Sequence, residues 1–401
     1  MRFIVACCWS PDKGQGISTM AREIAEYLIS INHEVFYLSP EAVNKSWYKE
    51  TGVQAINIGP ELRPKDGLIA VVTNVEKINP DVLINNDHPY VQAALPVINT
   101  KKIIISHTMA WGTAALSRFN HQYADKIVSI SYDMLKYILE RNVSPAKLLL
   151  IMNGIVDPYY SDWKPANKVD TKINLVFAGN WTKVKGADVL LKAINDIADD
   201  VSWLKLDCFG SIKNKIIHKL RNKSWIKLHG RVERESFLEI LSNADFLLFP
   251  SKVEGCPMTV IEAMSRGVVP LVSDGKGAMR WMIDHGVDGY VLRRKKWKKD
   301  MWEILNYMNS NPGALIEMKQ QARKRFLSQF TIEHMMSSLL TSVNEVVSQK
   351  YQRDEITAIK WHRPKLEGSL LERITERLYY RMGVIRKAGK VKREDLKSIN
   401  L

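Results

Sequence analysis

Cysteine is scarce in this chain of 401 residues, and the four present, Cys7, Cys8, Cys208 and Cys256, show no disulfide or metal-ligand spacing. A disulfide-stapled secreted scaffold is therefore excluded, and a reducing compartment fits. No Asp-x-Asp occurs anywhere and the histidines form no cluster, so no metal site is written into the sequence. No apolar run approaches the roughly 18 residues of a spanning helix. The stretch from Met1 to Cys8 is too short for a signal peptide and meets a Pro-Asp-Lys-Gly turn at once, so it reads as a first strand, with the protein in the cytoplasm. Internal repeats and low-complexity tracts are missing. Acid is also in deficit: 43 Asp and Glu face 58 Lys and Arg, a net charge of +15 that favours an anionic surface, membrane or nucleic acid. No nucleic-acid module is recognisable, which leaves the membrane.

A chain of this length exceeds what one core usually serves, so two domains are expected. Strand-like apolar runs alternate with helical spacing twice over. The first series starts at Phe3–Cys8 and passes through Gly14-Gln15-Gly16 into a helix with Ile17, Met20, Ile24, Leu28 and Ile31 on one stripe. It continues with strands at 34–38, 82–84, 102–105, 127–130 and 148–151. The polar stretch Asp157 to Thr171, with Trp163, Pro165 and Asn167, breaks the pattern as a linker would. A second series starts at Ile173, with strands near 204–209, 225–228, 245–249, 268–272 and 289–292. Both series predict α/β, doubly wound parallel sheets: an amino-terminal domain over 1–160, a linker at 161–171, a carboxyl-terminal domain over 172–347 and a basic helical tail over 348–401.

The richest segment is FPSKVEGCPMTVIEAMSRGVVPLVSD, in which Glu254 and Glu262 lie eight positions apart across a strand-to-helix turn. Phe246 to Phe249 reads as a buried strand, and a helix starts near Met258. In an open parallel sheet the loops after the strands line the ligand crevice. The N–H groups of Met258, Thr259 and Val260 at the helix start would receive a phosphate. The two carboxylates would then accept hydrogen bonds from hydroxyls on either side of it. Cys256, with no activating base in sequence nearby, reads as a bystander.

The stretch Glu254 to Glu262 resembles the E-x7-E signature of retaining, nucleotide-sugar-dependent glycosyltransferases of the GT-B fold, family 4 in particular. Other stretches agree in order. Phe177-Ala178-Gly179-Asn180-Trp181-Thr182-Lys183-Val184-Lys185-Gly186 is similar to the family's G-R-L-x-x-x-K-G, with Asn180 where the family usually carries Arg. Leu228-His229-Gly230-Arg231-Val232, with Leu238 to Asp245, matches the segment before the signature. Ile105-Ser106-His107, Ala124-Asp125-Lys126-Ile127-Val128 and Met152-Asn153-Gly154-Ile155-Val156-Asp157 match the amino-terminal half.

The resemblance implies two Rossmann-like domains facing across a cleft, the acceptor side first and the donor side second. It implies transfer of a sugar from a nucleoside diphosphate, UDP or GDP, with retention and without metal or cofactor. Lys185 and the helix start would stabilise the leaving diphosphate, with Arg231 or Lys183 replacing the charge lost at Asn180. Glu262 would hold the donor ribose, and Glu254 a hydroxyl of the transferred sugar. Gly179 and Gly255 would bind the donor, and Gly16 would let backbone approach the donor phosphate or the acceptor; Gly16 serves equally as a residue that permits a tight turn, since the third position of a dinucleotide fingerprint is Thr19 and no P-loop Gly-Lys-Ser follows. His107 would bond the reacting region, or be a satisfied residue at a strand end. Asn85, Asp87 and His88 would contact the acceptor or close a turn.

The run Arg293-Arg294-Lys295-Lys296-Trp297-Lys298-Lys299 gathers cations around an aromatic and suggests an anionic membrane surface. In the tail, Leu370, Ile374, Leu378, Met382 and Ile385 fall at helical spacing among Arg373, Arg377, Arg381, Arg386 and Lys387. That segment either lies on anionic lipid or packs back across the two domains. A glycan or lipid-linked acceptor on the inner face of a bacterial membrane fits both patches. The alternative is a non-catalytic GT-B protein, a nucleotide-sugar binder or partner subunit, for which Asn180 argues.

Overall fold

The computed structural model describes residues 1–11, 16–39, 45–59, 64–107, 120–141, 143–159, 162–164, 172–195 and 197–349. The chain divides into two compact units, Met1–Met152 with the residues from Met335 onward, and Asn153–His334.

The first unit runs β1 (Arg2–Cys7), α1 (Gly16–Ser30), β2 (Glu34–Ser39), α2 (Lys45–Thr51), β3 (Gln54–Asn57), α3 (Pro64–Ile78), β4 (Val82–Asn86), α4 (Pro89–Ala94), β5 (Lys101–Ser106), β6 (Lys126–Ser129), α5 (Tyr132–Leu139) and β7 (Leu148–Leu150). Its strands form one parallel sheet in the order β3-β2-β1-β4-β5-β6-β7. Strand β4 and strand β5 are buried throughout, which is why they read as continuous apolar runs rather than alternating ones. The α1 stripe closes one face with Met20, Ile24 and Leu28, whereas Ile31 lies past the helix end and is exposed. The order of connection reverses between β1 and β4, and in open parallel sheets the crevice for ligands opens at the carboxyl ends of strands beside such a reversal.

The second unit runs β8 (Ile173–Ala178), α6 (Ala187–Ile194), β9 (Leu204–Phe209), α7 (Asn214–Leu220), β10 (Ile226–Gly230), α8 (Arg234–Ser242), β11 (Phe246–Phe249), α9 (Met258–Ser265), β12 (Val269–Ser273), α10 (Met279–Met282), β13 (Tyr290–Leu292), α11 (Trp297–Ser310) and α12 (Pro312–Gln329), followed by α13 (Ile332–Ser348). Its parallel sheet has the order β10-β9-β8-β11-β12-β13, with the reversal between β8 and β11. The loops after these two strands are the Lys185 loop and the Glu254 loop.

The units part earlier than the polar stretch at 161–171 suggested. Asn153 already donates to the Cys256 carbonyl at 3.0 Å, and Asp157 is paired with Arg323 at 2.6 Å. Trp163 donates to the Arg266 carbonyl at 3.0 Å and covers Gly267, whose positive φ and lack of a Cβ make that contact possible. Residues 160–161 and 165–171 lie outside the described residues. The carboxyl-terminal border also moves: from Met335 the chain belongs to the first unit, where Lys126 pairs with Glu345 at 3.0 Å. The rest of the expected tail, from 350 on, lies outside the described residues.

The cationic run at 293–299 does not surround a surface aromatic. Trp297 is 1% exposed and packs in the core of the second unit, and Arg294 turns back to the Pro250 carbonyl and toward Asp188. The remaining cations open α11 on the surface. No helix among the described residues is long and apolar enough to cross a membrane.

The pair Arg323–Asp157 is buried on both sides, so removing one partner strands a charge. Arg323→Ala is expected to lower the unfolding free energy by about 3–5 kcal/mol, read by urea denaturation, and Asp157→Asn on that background to recover part of the loss.

Candidate active site

The Glu254 loop leaves β11 at Phe249 and enters α9 at Met258. Glu254 Oε1 accepts from Lys185 Nζ at 2.7 Å and from Ser251 Oγ at 2.6 Å. The backbone brings these groups together. Gly186 has φ +78°, and a Cβ there would overlap the Pro250 carbonyl, so only glycine lets the Lys185 loop lie directly on the end of β11. The Lys252 N–H then donates to the Val184 carbonyl at 2.8 Å, and the Lys185 N–H to Thr182 Oγ1 at 3.3 Å. From the other side the loop after β12 closes in. The Glu254 N–H donates to the Lys276 carbonyl at 3.0 Å, and Ala278 N–H to Gly255 at 2.9 Å, across Gly277, where a Cβ would overlap the Glu254 carbonyl. Three strand-end loops thus hold one carboxylate against one ammonium.

Glu262 lies in α9 and is 6% exposed. Its Oε1 accepts from Arg234 Nη2 at 2.9 Å and Nε at 3.3 Å. Arg234, at the start of α8, was not singled out by the sequence, because nothing in RVERES distinguishes it from Arg231. Arg231 and Lys183, the expected replacements for the missing charge, are both exposed, as is Asn180. Gly179 has φ +146°, a conformation only glycine adopts readily. At the start of α9, Pro257 is the N-cap and no side chain caps the helix. One of the expected phosphate donors is already engaged: the Val260 N–H donates to the Pro257 carbonyl at 3.1 Å, tightening the first turn. Met258 and Thr259 keep first-turn N–H groups without an intrahelical acceptor. Burial pushes the Cys256 thiol up to about 12, in keeping with a bystander.

The amino-terminal candidates gather at the carboxyl ends of β4 and β5 in the first unit. His107 is buried and its Nε2 lies 3.0 Å from Asn86 Oδ1, which assigns the ring proton to Nε2. Asn85 donates to Gln92 Oε1 at 2.8 Å and accepts from the His88 N–H at 2.9 Å, while His88 Nδ1 accepts from the Val91 N–H at 3.3 Å as the cap of α4. Asp87 sits between them at φ +52°, a conformation that costs a non-glycine residue energy. Among the described residues, Asn86 Nδ2, Asp87 Oδ2, His88 Nε2 and Ser106 Oγ are buried without a hydrogen-bond partner. Asn86 and Ser106 were missed as site residues because each reads as the end of an apolar strand. Burial lowers His88 and His107 to about 3 and raises Asp87 well above the usual carboxylate range, with the nearby Cys7 adding to that rise. Burial thus disfavours the charged forms throughout the cluster, which is rich in unmet hydrogen-bonding capacity. Gly16 opens α1 and is exposed; Gly14 and Gln15 lie outside the described residues. No group of three or more potential metal ligands occurs among the described residues.

The buried imidazoles make the first unit acid-sensitive. Each has a folded pKa of about 3 against 6.5 unperturbed, so its contribution to stability is complete above 6.5 and is lost as pH falls toward 3. Asp87 opposes this, because its raised folded pKa makes its contribution grow as pH falls. The melting temperature is expected to fall between pH 7 and pH 5. His107→Gln should reduce that fall, each imidazole contributing on the order of 2 kcal/mol across the interval.

Comparison with known proteins places the chain in a family. The family model described as Glycosyltransferase Family 4 matches residues 14–157, and that described as Glycosyl transferases group 1 matches residues 161–325. An uncharacterised 41.2 kDa protein in the cps region of Klebsiella pneumoniae is 22% identical over 78% of this chain and 91% of its own length. An uncharacterised glycosyltransferase of Methanocaldococcus jannaschii is 25% identical over 77% of this chain and 89% of its own. The crystal structure of Anabaena Alr3699/HepE in complex with UDP and glucose superimposes with a TM-score of 0.70 at 12% identity, covering 86% of this chain and all of that one. With both unit sheets, the two matched models and the stitched Lys185 and Glu254 loops in agreement, the chain belongs to the GT-B glycosyltransferases of group 1 and family 4.

Proposed function

We propose that this glycosyltransferase is retaining and metal-independent, and moves a sugar from a nucleoside diphosphate to an acceptor hydroxyl in the synthesis of a bacterial surface glycan: lipopolysaccharide, capsule or exopolysaccharide. The observation that carries the reading is the Lys185–Glu254 pair held at the ends of β8 and β11. In the reaction the bond from the anomeric carbon to the diphosphate oxygen breaks with its electron pair going to the diphosphate. A bond from that carbon to the acceptor oxygen forms on the same face, and the acceptor proton passes to the departing diphosphate. Charge develops on the leaving group, so the largest catalytic contribution is electrostatic. Lys185 and the Met258 and Thr259 N–H groups supply it, without a metal ion in this reading. Glu254 accepts a hydroxyl of the transferred sugar and keeps Lys185 in place before donor arrives. Glu262, oriented by Arg234, holds the ribose.

The buried cluster of Asn86, Asp87, His88, Ser106 and His107, with its unmet hydrogen-bonding groups, suits a hydroxyl-rich acceptor. UDP and GDP are the expected donor nucleotides, and the UDP in the Anabaena structure favours UDP. A glycan or lipid-linked acceptor, a cytoplasmic site and attachment to the anionic inner face of the membrane complete the proposal, supported by the net charge of +15 and the surface cations opening α11. A second reading, a nucleotide-sugar binder or partner subunit without catalysis, is favoured by Asn180 alone.

A thermal-shift screen against UDP, GDP, ADP, dTDP, CMP and their sugar conjugates separates the two in steps. One nucleotide family is expected to raise the melting temperature by mass action, with the effect lost in Lys185→Ala and Glu262→Ala. With that donor and an accepted glycan, Lys185→Ala should lower kcat by about 10²–10³-fold; binding without turnover in any acceptor screen would favour the second reading. Flotation with phosphatidylglycerol liposomes should carry the chain upward, and equal flotation without residues 351–401 would remove the tail from the membrane proposal.

A further inference from the structure

The sheet of the second unit ends at β13, which pairs with β12 alone. Beside it runs α11, and on the α11 stripe facing β13 stand Asp300, Glu303, Ile304 and Tyr307, at the three- and four-residue spacing of one helix face. Between strand and helix lies a cavity of about 440 Å³, lined by that stripe with His285, Tyr290 and Arg293. Its volume falls within the range of small-molecule sites, about 300–1,000 Å³. It shares no residue with the loops around Glu254.

The lining narrows what could occupy it. Tyr307 is 56% exposed, unusual for a large aromatic, and Tyr290 lies half-buried close to it. The hydroxyl of Tyr290 is raised by burial and then by the nearby Tyr307. His285 meets Tyr290 edge-on with ring centroids 5.6 Å apart. A peptide added as an extra strand would need the free backbone donors of β13, but the Val291 N–H already donates to His285 Nδ1 at 3.1 Å. Asp300 and Glu303 face Arg293 in the wall and Lys299, which pairs with Glu303 at 3.6 Å, so the groove itself has no excess of cations for a polyanion, nucleic acid or acidic lipid, to neutralise. A pyranose ring has the matching chemistry. Its apolar C–H faces stack on tyrosine, and its equatorial hydroxyls donate to carboxylates and accept from guanidinium.

We propose that the groove between β13 and α11 is a second carbohydrate site, which binds a neutral stretch of glycan and keeps a growing chain on the enzyme between transfers. Binding there requires the Tyr307 ring and the Asp300 carboxylate and is independent of the nucleotide sugar.

The test is affinity electrophoresis of the full chain in native gels cast with dextran, amylose or galactomannan, with heparin gels as the anionic comparison. The wild type should be retarded by a neutral polysaccharide and not by heparin through this groove. Tyr307→Ala and Asp300→Asn should each weaken the retardation at least tenfold in apparent dissociation constant, while melting cooperatively near the wild-type temperature and keeping the nucleotide-induced thermal shift. Lys185→Ala should lose that shift and keep the retardation, so that failure of the donor reading and failure of the groove are read from different variants. Absence of retardation in all three neutral gels, or equal retardation of wild type and Tyr307→Ala, would overturn the proposal.

Discussion

The contact between Gly186 and the Pro250 carbonyl is the constraint on which the candidate active site depends. A side chain at 186 would hold the loop after β8 away from the end of β11, and Lys185 would then not reach Glu254. With the contact made, the ammonium and the carboxylate are fixed by backbone on both sides, Lys252 to Val184 on one and Glu254 to Lys276 on the other. Their geometry therefore costs little further ordering when a ligand arrives, which is the condition for electrostatic stabilisation of a leaving group. Gly277 serves the same end from the β12 side, so two glycines with positive φ flank one functional pair.

The two sheets use the same architectural rule for different chemistry. Each reverses its order of connection in mid-sheet, and each gathers polar residues at the carboxyl ends of its strands and in the helices that follow them. In the second unit those residues are charged and paired, Lys185 with Glu254 and Arg234 with Glu262. In the first they are buried, and desolvation disfavours the charged forms of His88, His107 and Asp87. One edge thus carries fixed, paired charges and the other buried polar groups.

Much of the second unit was legible in one dimension. The short apolar runs at 246–249 and 269–272, the glycines at turns and the spacing of Glu254 and Glu262 are local signals, set by strand burial and helix period. Other features were not. Arg234 is one of several arginines near β10, and only the packing of α8 on α9 selects it as the partner of Glu262. Trp297 looked like a surface aromatic among lysines, but helix α11 turns it into the core while the lysines face outward. The surroundings of the linker show the same limit: Asp157 and Trp163 look like linker residues, yet Arg323 and Gly267, far along the chain, bind them into the second unit.

The sequence by itself determined the alternation of strands and helices, the two sheets and the identity of the E-x7-E and Lys-Gly elements, because these depend on period and on neighbours a few residues away. Only the tertiary structure decided that Lys185 meets Glu254, that Val260 is not a free phosphate donor, that burial disfavours charge in the amino-terminal cluster, and that β13 and α11 enclose a groove. Each of these depends on distances between residues remote in sequence and on how much water their packing removes, and neither quantity is carried by any local stretch of chain.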